Sequence, residues 1–132
     1  MTVLPLRYPY VWLLLGWLLV IGVVVGSLLP GPIIKEITPA VNDKVEHFSA
    51  YFVLMMWFGG LYPRAKHLSV AGALLFLGIA LDVLQGVATT TRTFELLDIA
   101  ADAVGILVAL ALSFSLLEGW CQRLERFTIR SA

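Results

Sequence analysis

From Tyr10 to Leu29 the chain runs for 20 residues without a charge. At about 1.5 Å per residue, that is the length needed to cross a hydrocarbon core of roughly 30 Å. Arg7 precedes the run, as it would in a signal peptide. The apolar stretch is longer than the roughly 7–15 residues of a signal core, however, and no small-residue cleavage site follows it. It therefore reads as an uncleaved first membrane span. Composition agrees: of 132 residues 60% are hydrophobic and 14% charged, with mean hydropathy +0.92, whereas a soluble domain has about 25% charged residues. Nine basic and nine acidic residues leave no net charge, which argues against a nucleic-acid partner. The single cysteine, Cys121, excludes an internal disulfide and a CxxC metal site. It reads as a bystander, with membrane-proximal acylation the weaker alternative.

Breaker residues divide the chain into four spans, at about residues 10–29, 44–62, 68–87 and 96–117, all within one domain covering 1–132. Pro30-Gly31-Pro32 ends the first span and Pro63 the second, while Thr89-Thr90-Thr91-Arg92-Thr93 links the third to the fourth. Residues 33–42 are expected to form a short polar loop, after which Asp43 and Glu46 read as an N-cap and its return partner. Gly22 and Gly26 make a GxxxG on the first span, which lets another helix approach closely, either in this chain or in a second copy as a homodimer. Beyond the fourth span, Leu116, Leu117, Trp120, Leu124 and Phe127 recur at helical spacing with Arg123, Arg126 and Arg130 between them. That pattern predicts a basic amphipathic helix at the headgroup level. The expected fold is thus an all-α membrane protein, a bundle of four transmembrane helices with a C-terminal amphipathic cytoplasmic helix, in contact with membrane lipids.

Basic residues orient the bundle. Arg7, Arg64, Lys66, Arg123, Arg126 and Arg130 fall on one side, against Lys35, Lys44 and Arg92 on the other. The positive-inside rule then places both termini in the cytoplasm. Seven of the nine acids (Glu36, Asp43, Glu46, Asp82, Glu95, Asp98 and Asp102) lie toward the outer ends. Asp82 sits about five residues below the end of its helix, roughly 8 Å deep.

The polar residues form stripes: Asp43, His47 and Tyr51 with Lys44 beside them, then Gly78, Asp82 and Gln85, then Glu95, Asp98, Asp102, Gly105 and Ala109. A charge in hydrocarbon costs about 2.5–3.5 kcal/mol on insertion scales, so such residues turn inward and find partners. The stripes are therefore expected to meet in a polar pocket open to the outside, floored by apolar residues and rimmed by Lys44 and Arg92. Asp82, Asp98 and Asp102 cannot all be ionised at close range without cations. Lys44, Arg92, a protonated His47 or a bound ion would supply them.

Asp43-Lys44-x-x-His47-Phe48-x-x-Tyr51, followed by Asp82 and Gln85 three apart, Arg92 and Asp98 six apart and then Gly105, resembles the VanZ-like family. These are small membrane proteins named after an accessory protein of teicoplanin resistance. The resemblance covers roughly residues 27 to 110, and its DKxxHFxxY part is the most specific. The family usually has Glu in place of Asp82, Asn in place of Asp102 and Gly in place of Ala109. The first difference shortens an acid; the second exchanges an amide for a carboxylate and makes the pocket more anionic. The resemblance implies a bacterial cytoplasmic (inner) membrane and a lowered sensitivity to teicoplanin-type glycopeptides, which act at the outer surface. No settled reaction comes with the name.

Two functions of different class fit these residues. In one, an enzyme acts on an envelope lipid or glycan headgroup. His47 is its general base or acid, Asp98 or Asp82 orients His47 or shares its proton, and Lys44 and Arg92 hold an anionic group. Asp43, Tyr51, Gln85 and Asp102 complete the binding pocket. His47 with Asp82, Asp98 and Asp102 also suits a divalent cation such as Mg²⁺, Mn²⁺ or Ca²⁺ better than zinc. In the other, a non-catalytic accessory protein binds or shields an envelope component. A proton-coupled transporter using Asp82 and Asp102 is a third reading, disfavoured because the cytoplasmic half offers no charged path.

Overall fold

A computed structural model describes residues 2–29, 31–37, 42–88 and 96–131. Among these residues six α-helices follow in order: α1 (Pro9–Leu28), α2 (Gly31–Ile37), α3 (Asp43–Leu61), α4 (His67–Ala88), α5 (Leu96–Ser113) and α6 (Trp120–Ser131), with a 3₁₀ turn at Arg64–Lys66 before α4. No strand occurs among the described residues.

Three of the helical segments, Pro9–Leu28, Arg64–Val87 and Leu96–Phe114, are long and apolar enough to cross a membrane. The expectation of four such segments is corrected at α3. Asp43, Lys44, Glu46 and His47 occupy its first two turns, so its composition falls short although its length does not. The shortfall has a structural reason. α3 is the centre of the molecule, packed on α5 along its length and touching α1, α4 and α6 as well. A helix that faces protein on most sides can include polar residues that a lipid-facing helix cannot.

Three local expectations also change. Residues 33–37 of the expected 33–42 loop belong instead to the short helix α2, whose Pro32 stands in the first turn, where a missing N–H costs nothing, and residues 38–41 lie outside the described residues. The cap of α3 is Asn42, whose side chain accepts from the Lys44 N–H at 2.8 Å, so Asp43 is the first helical residue. The fourth predicted span stops at Ser113, short of Leu117, and a turn through Gly119 (φ 62°) leads into α6.

Close approach of α5 to α3 depends on Gly105. A Cβ there would run into the Phe48 carbonyl oxygen and the Phe52 nitrogen, so no larger residue fits without parting the helices. Leu54, Met55, Leu61, Ala109 and Cys121 are fully enclosed around this seam. Burial, and secondarily the Glu125 carboxylate, pushes the Cys121 thiol up to about 12, which removes both the access and the thiolate that acylation needs.

α1 is held mainly at its beginning. Trp57 Nε1 donates to the Trp12 carbonyl at 3.0 Å, and the Trp12 ring lies 5.3 Å from Trp57 and 5.6 Å from Trp120. Trp120 Nε1 in turn donates to the Met56 carbonyl at 2.8 Å, docking the start of α6 on α3. The first turn of α1 has no capping side chain of its own. Glu125 of α6 serves instead, accepting from the Arg7 N–H at 2.6 Å, the Tyr8 N–H at 3.1 Å and Trp12 Nε1 at 2.8 Å. A carboxylate at this point meets both the orphan donors and the positive end of the helix dipole. Partial burial works against the charge, but these bonds prevail and hold the Glu125 carboxyl below its ordinary value of 4.5.

The Glu125 contribution is therefore complete above pH 4.5 and is lost as pH falls through the lower folded-state value. Glu125→Gln is expected to cost about 1–2 kcal/mol at neutral pH. Thermal unfolding in detergent should show the variant and the parent converging as the solution is acidified.

Candidate functional site

The helices alternate in direction, so the N-terminal ends of α3 and α5 lie with the C-terminal ends of α1 and α4. At that end the bundle buries a cluster of polar residues. His47, Asp82, Gln85, Asp98 and Asp102 are each at most 8% exposed. Asp98 and Asp102 reach α3 from consecutive turns of α5, where Gly105 has brought the backbones together.

The contacts form a chain of alternating groups. Lys44 Nζ bonds Asp98 Oδ1 and lies 3.5 Å from Asp43 Oδ2. Asp98 Oδ2 stands 3.7 Å from His47 Nε2, and His47 Nδ1 is 2.7 Å from Asp102 Oδ1. Where Asp102 is ionised it only accepts, and Nδ1 is then the protonated nitrogen. His47 Nε2 is left beyond hydrogen-bond reach of Asp98. When the ring carries a second proton, Lys44, Asp98, His47 and Asp102 balance to zero charge. The imidazole is anchored through one nitrogen and open through the other, the arrangement that proton transfer and anion binding both use.

α4 closes the other side. A Cβ at Gly78 would sit 2.8 Å from Asp102 Oδ2 and 3.3 Å from the Tyr51 ring, so this glycine makes the space in which the carboxylate lies. Asp102 Oδ2 is buried with no hydrogen-bond partner among the described residues. Asp82 is buried alongside: one donor atom from each of His47, Asp82 and Asp102 lies within 4.8 Å of the others. Asp43, His47 and Asp98 form a second such group nearer the rim. Carboxylates with a single imidazole fit a hard divalent cation, and the unbonded Asp102 oxygen is the atom such an ion would use.

Lys44, His47, Asp82, Asp98 and Asp102 thus come together, with Asp43 at the rim and the buried Tyr51 ring below. Gln85 is placed differently. Its Nε2 donates to the Ser27 carbonyl at 2.7 Å and ties α4 to the end of α1. Arg92 and Glu95 lie outside the described residues. A cleft of about 510 Å³ opens between α1 and α3, and His47 and Tyr51 are on its wall. No pattern in the sequence marks this cleft: Gly16, where a Cβ would lie 2.9 Å from Trp57 Cδ1, and the Gly22–Gly26 pair, where it would meet nothing within 4 Å among the described residues, are all glycines of one apolar helix.

The fold and site define an all-helical protein with three helices apolar enough to cross a membrane and a buried His–Asp cluster at one end of its bundle. The chain is 35% identical over 77 residues to an uncharacterized protein of Schizosaccharomyces pombe, a stretch that is 55% of this chain and 47% of that protein. The chain thus spans about half the length of the curated relative it matches. No family model matches it, and no solved structure does.

Removing one member of a buried pair leaves an uncompensated charge, which costs roughly 3–5 kcal/mol. Lys44→Met is expected at the low end of that range, since the amine is 35% exposed while Asp98 is 6% exposed. Asp98→Asn added to Lys44→Met should recover most of the loss. Paired unfolding curves of the single and double variants check the cycle.

Proposed function

We propose that this protein binds the polar head of a membrane amphiphile at the end of the bundle where Lys44, His47, Asp98 and Asp102 meet. The observation that carries the reading is the setting of His47. Its ring is buried and anchored to Asp102 through Nδ1, its Nε2 stands at ion-pair but not hydrogen-bond distance from Asp98, and the residue lines the α1–α3 cleft. A nitrogen held open in this way gives or takes a proton, or donates to an anion. Lys44 adds a partly exposed ammonium at the rim, already faced by Asp98 and Asp43, so a head with a hydrogen-bond acceptor for His47 suits the site. A second reading, a divalent cation held by His47, Asp82 and Asp102, is supported by their spacing and by the unbonded Asp102 oxygen.

In this proposal α3 is the fourth span. Its polar first turns lie level with Asp98 and Ser27, and only its apolar remainder, largely covered by α1, α4 and α5, falls at hydrocarbon depth. Both termini are cytoplasmic, in accord with the distribution of Lys and Arg. α6 lies at the headgroup level with Leu124 and Phe127 outward. The fungal relative means that the reading does not depend on a bacterial envelope. In a bacterium, the VanZ-like resemblance would make the ligand an envelope lipid or glycan. The expected phenotype would then be lowered sensitivity to teicoplanin-type glycopeptides.

Native mass spectrometry of gently extracted protein tests the site. A lipid-mass adduct is expected on the parent and not on His47→Gln. A metal-mass adduct instead would select the cation reading, and bare polypeptide in both would remove the proposal. A product of altered mass, formed by the parent alone, would make the protein an enzyme rather than a binder. Topology has its own measurement. The buried Cys121 is silent to maleimide, so Asp43→Cys should be labelled by a membrane-impermeant reagent added outside cells; labelling from the cytoplasm alone would overturn the orientation.

A further inference from the structure

The cleft between α1 and α3 is bounded at both ends. At one end the helices touch at Gly16, where a Cβ would lie 2.9 Å from Trp57 Cδ1 and 3.0 Å from Phe58 Cζ. At the other, Gln85 holds the Ser27 carbonyl and keeps the last turn of α1 against the bundle. Between these two pins α1 and α3 separate. A Cβ at Gly22 or at Gly26 would meet nothing within 4 Å. Among the described residues the GxxxG pair seats no other helix of this chain; it widens a cleft of about 510 Å³. That is a ligand-sized space, inside the range of roughly 300–1,000 Å³.

The geometry points to an alkyl chain of a membrane amphiphile as the occupant of this cleft, with its polar end at His47. The inference deepens the proposed headgroup site and rests on it. Three observations favour this occupant. The stem of the cleft is lined by Leu19, Val23 and Val53, and its upper wall by Ser27, Glu46 and His47, so polarity changes along it as it does along a lipid. Its walls are α1, which is apolar throughout and enclosed only at Gly16, and the apolar part of α3. Apolar cavities stay dry, so water is a poor filling and the surrounding hydrocarbon a good one. Finally, a partner helix is about 10–12 Å across. Seated against Gly22 and Gly26 it would have to lift α1 off the pins at Trp57 and Gln85. A single chain needs no such movement.

The test uses the full chain in phosphatidylglycerol–phosphatidylethanolamine vesicles doped with phosphatidylglycerol carrying a diazirine on one acyl chain. After irradiation, the labelled residues are mapped by mass spectrometry. Label is expected on the cleft wall at Leu19, Val23 and Ala50. Gly22→Leu and Gly26→Leu place a side chain where the structure leaves open space, so both should fold. They should lower the cleft label by at least about tenfold, as expected when roughly two methylenes of buried chain are displaced. Label confined to outward residues such as Trp17 and Phe76, or cleft label unchanged in both leucine variants, would overturn the inference. So would a native dimer that either leucine variant dissociates with the lipid label intact. His47→Gln separates this result from the headgroup reading. If it reduces the cleft label as the leucine variants do, head and chain occupy one site. If the label persists in His47→Gln but is lost in Gly26→Leu, the chain seat stands and the headgroup assignment falls.

Discussion

A charge enclosed in an apolar bundle has to be matched at short range, and in this protein the matching is done across the α3–α5 seam. Lys44 bonds Asp98 and His47 bonds Asp102, each pair formed by one side chain from each helix. In an apolar surrounding the alternative is an unpaired ion, at a cost of several kcal/mol. That cost fixes the register of α3 on α5 more tightly than interchangeable apolar contacts can. Gly105 makes the register attainable, because it lets the Phe48–Phe52 backbone approach closely enough for the side chains to span the gap. The seam is at once the core of the fold and the foundation of the polar site.

α1 has a different relation to the bundle. It is attached through a tryptophan cluster and the Glu125 carboxylate at its start, and through Gln85 at its end. Most of its surface is apolar and faces outward. Such a helix is kept in place by its two ends, and the wall it forms need not pack against α3 along its whole length. The space left in the middle leads to His47. A rigid α3–α5 seam thus holds the charged groups while a lightly attached α1 borders the open side.

Periodicity made much of this legible. The stripes Asp43–His47–Tyr51 and Asp98–Asp102–Gly105 follow from 3.6 residues per turn, and the cost of charge in hydrocarbon predicts that they face each other. Lys44, His47, Asp98 and Asp102 do meet. Spans one and three are found within one or two residues of their expected limits, because proline and the change from apolar to polar composition act locally. Other features were not legible. Asp43 looked like the cap because of Glu46 three residues on, but the adjacent Asn42 has the better geometry. α3 looked like a fourth apolar span, yet its first turns are too polar for that role by composition. Gln85 belonged by spacing to the acidic stripe, and its amide is turned to a main-chain carbonyl at the end of α1.

By itself the sequence determined an all-helical, largely apolar chain with its acids gathered toward one end. Those properties depend on residue type and on spacing within about five residues, which a single chain displays. Only the tertiary structure decided which partner each charge takes and where two helices touch or part. Gly16 and the Gly22–Gly26 pair show why. All three are glycines on one helix, with no local signal to rank them. Whether a glycine is a contact or an opening depends on what stands opposite it, and here Trp57 fills the space before Gly16 while, among the described residues, nothing lies within 4 Å of a Cβ at Gly22 or Gly26.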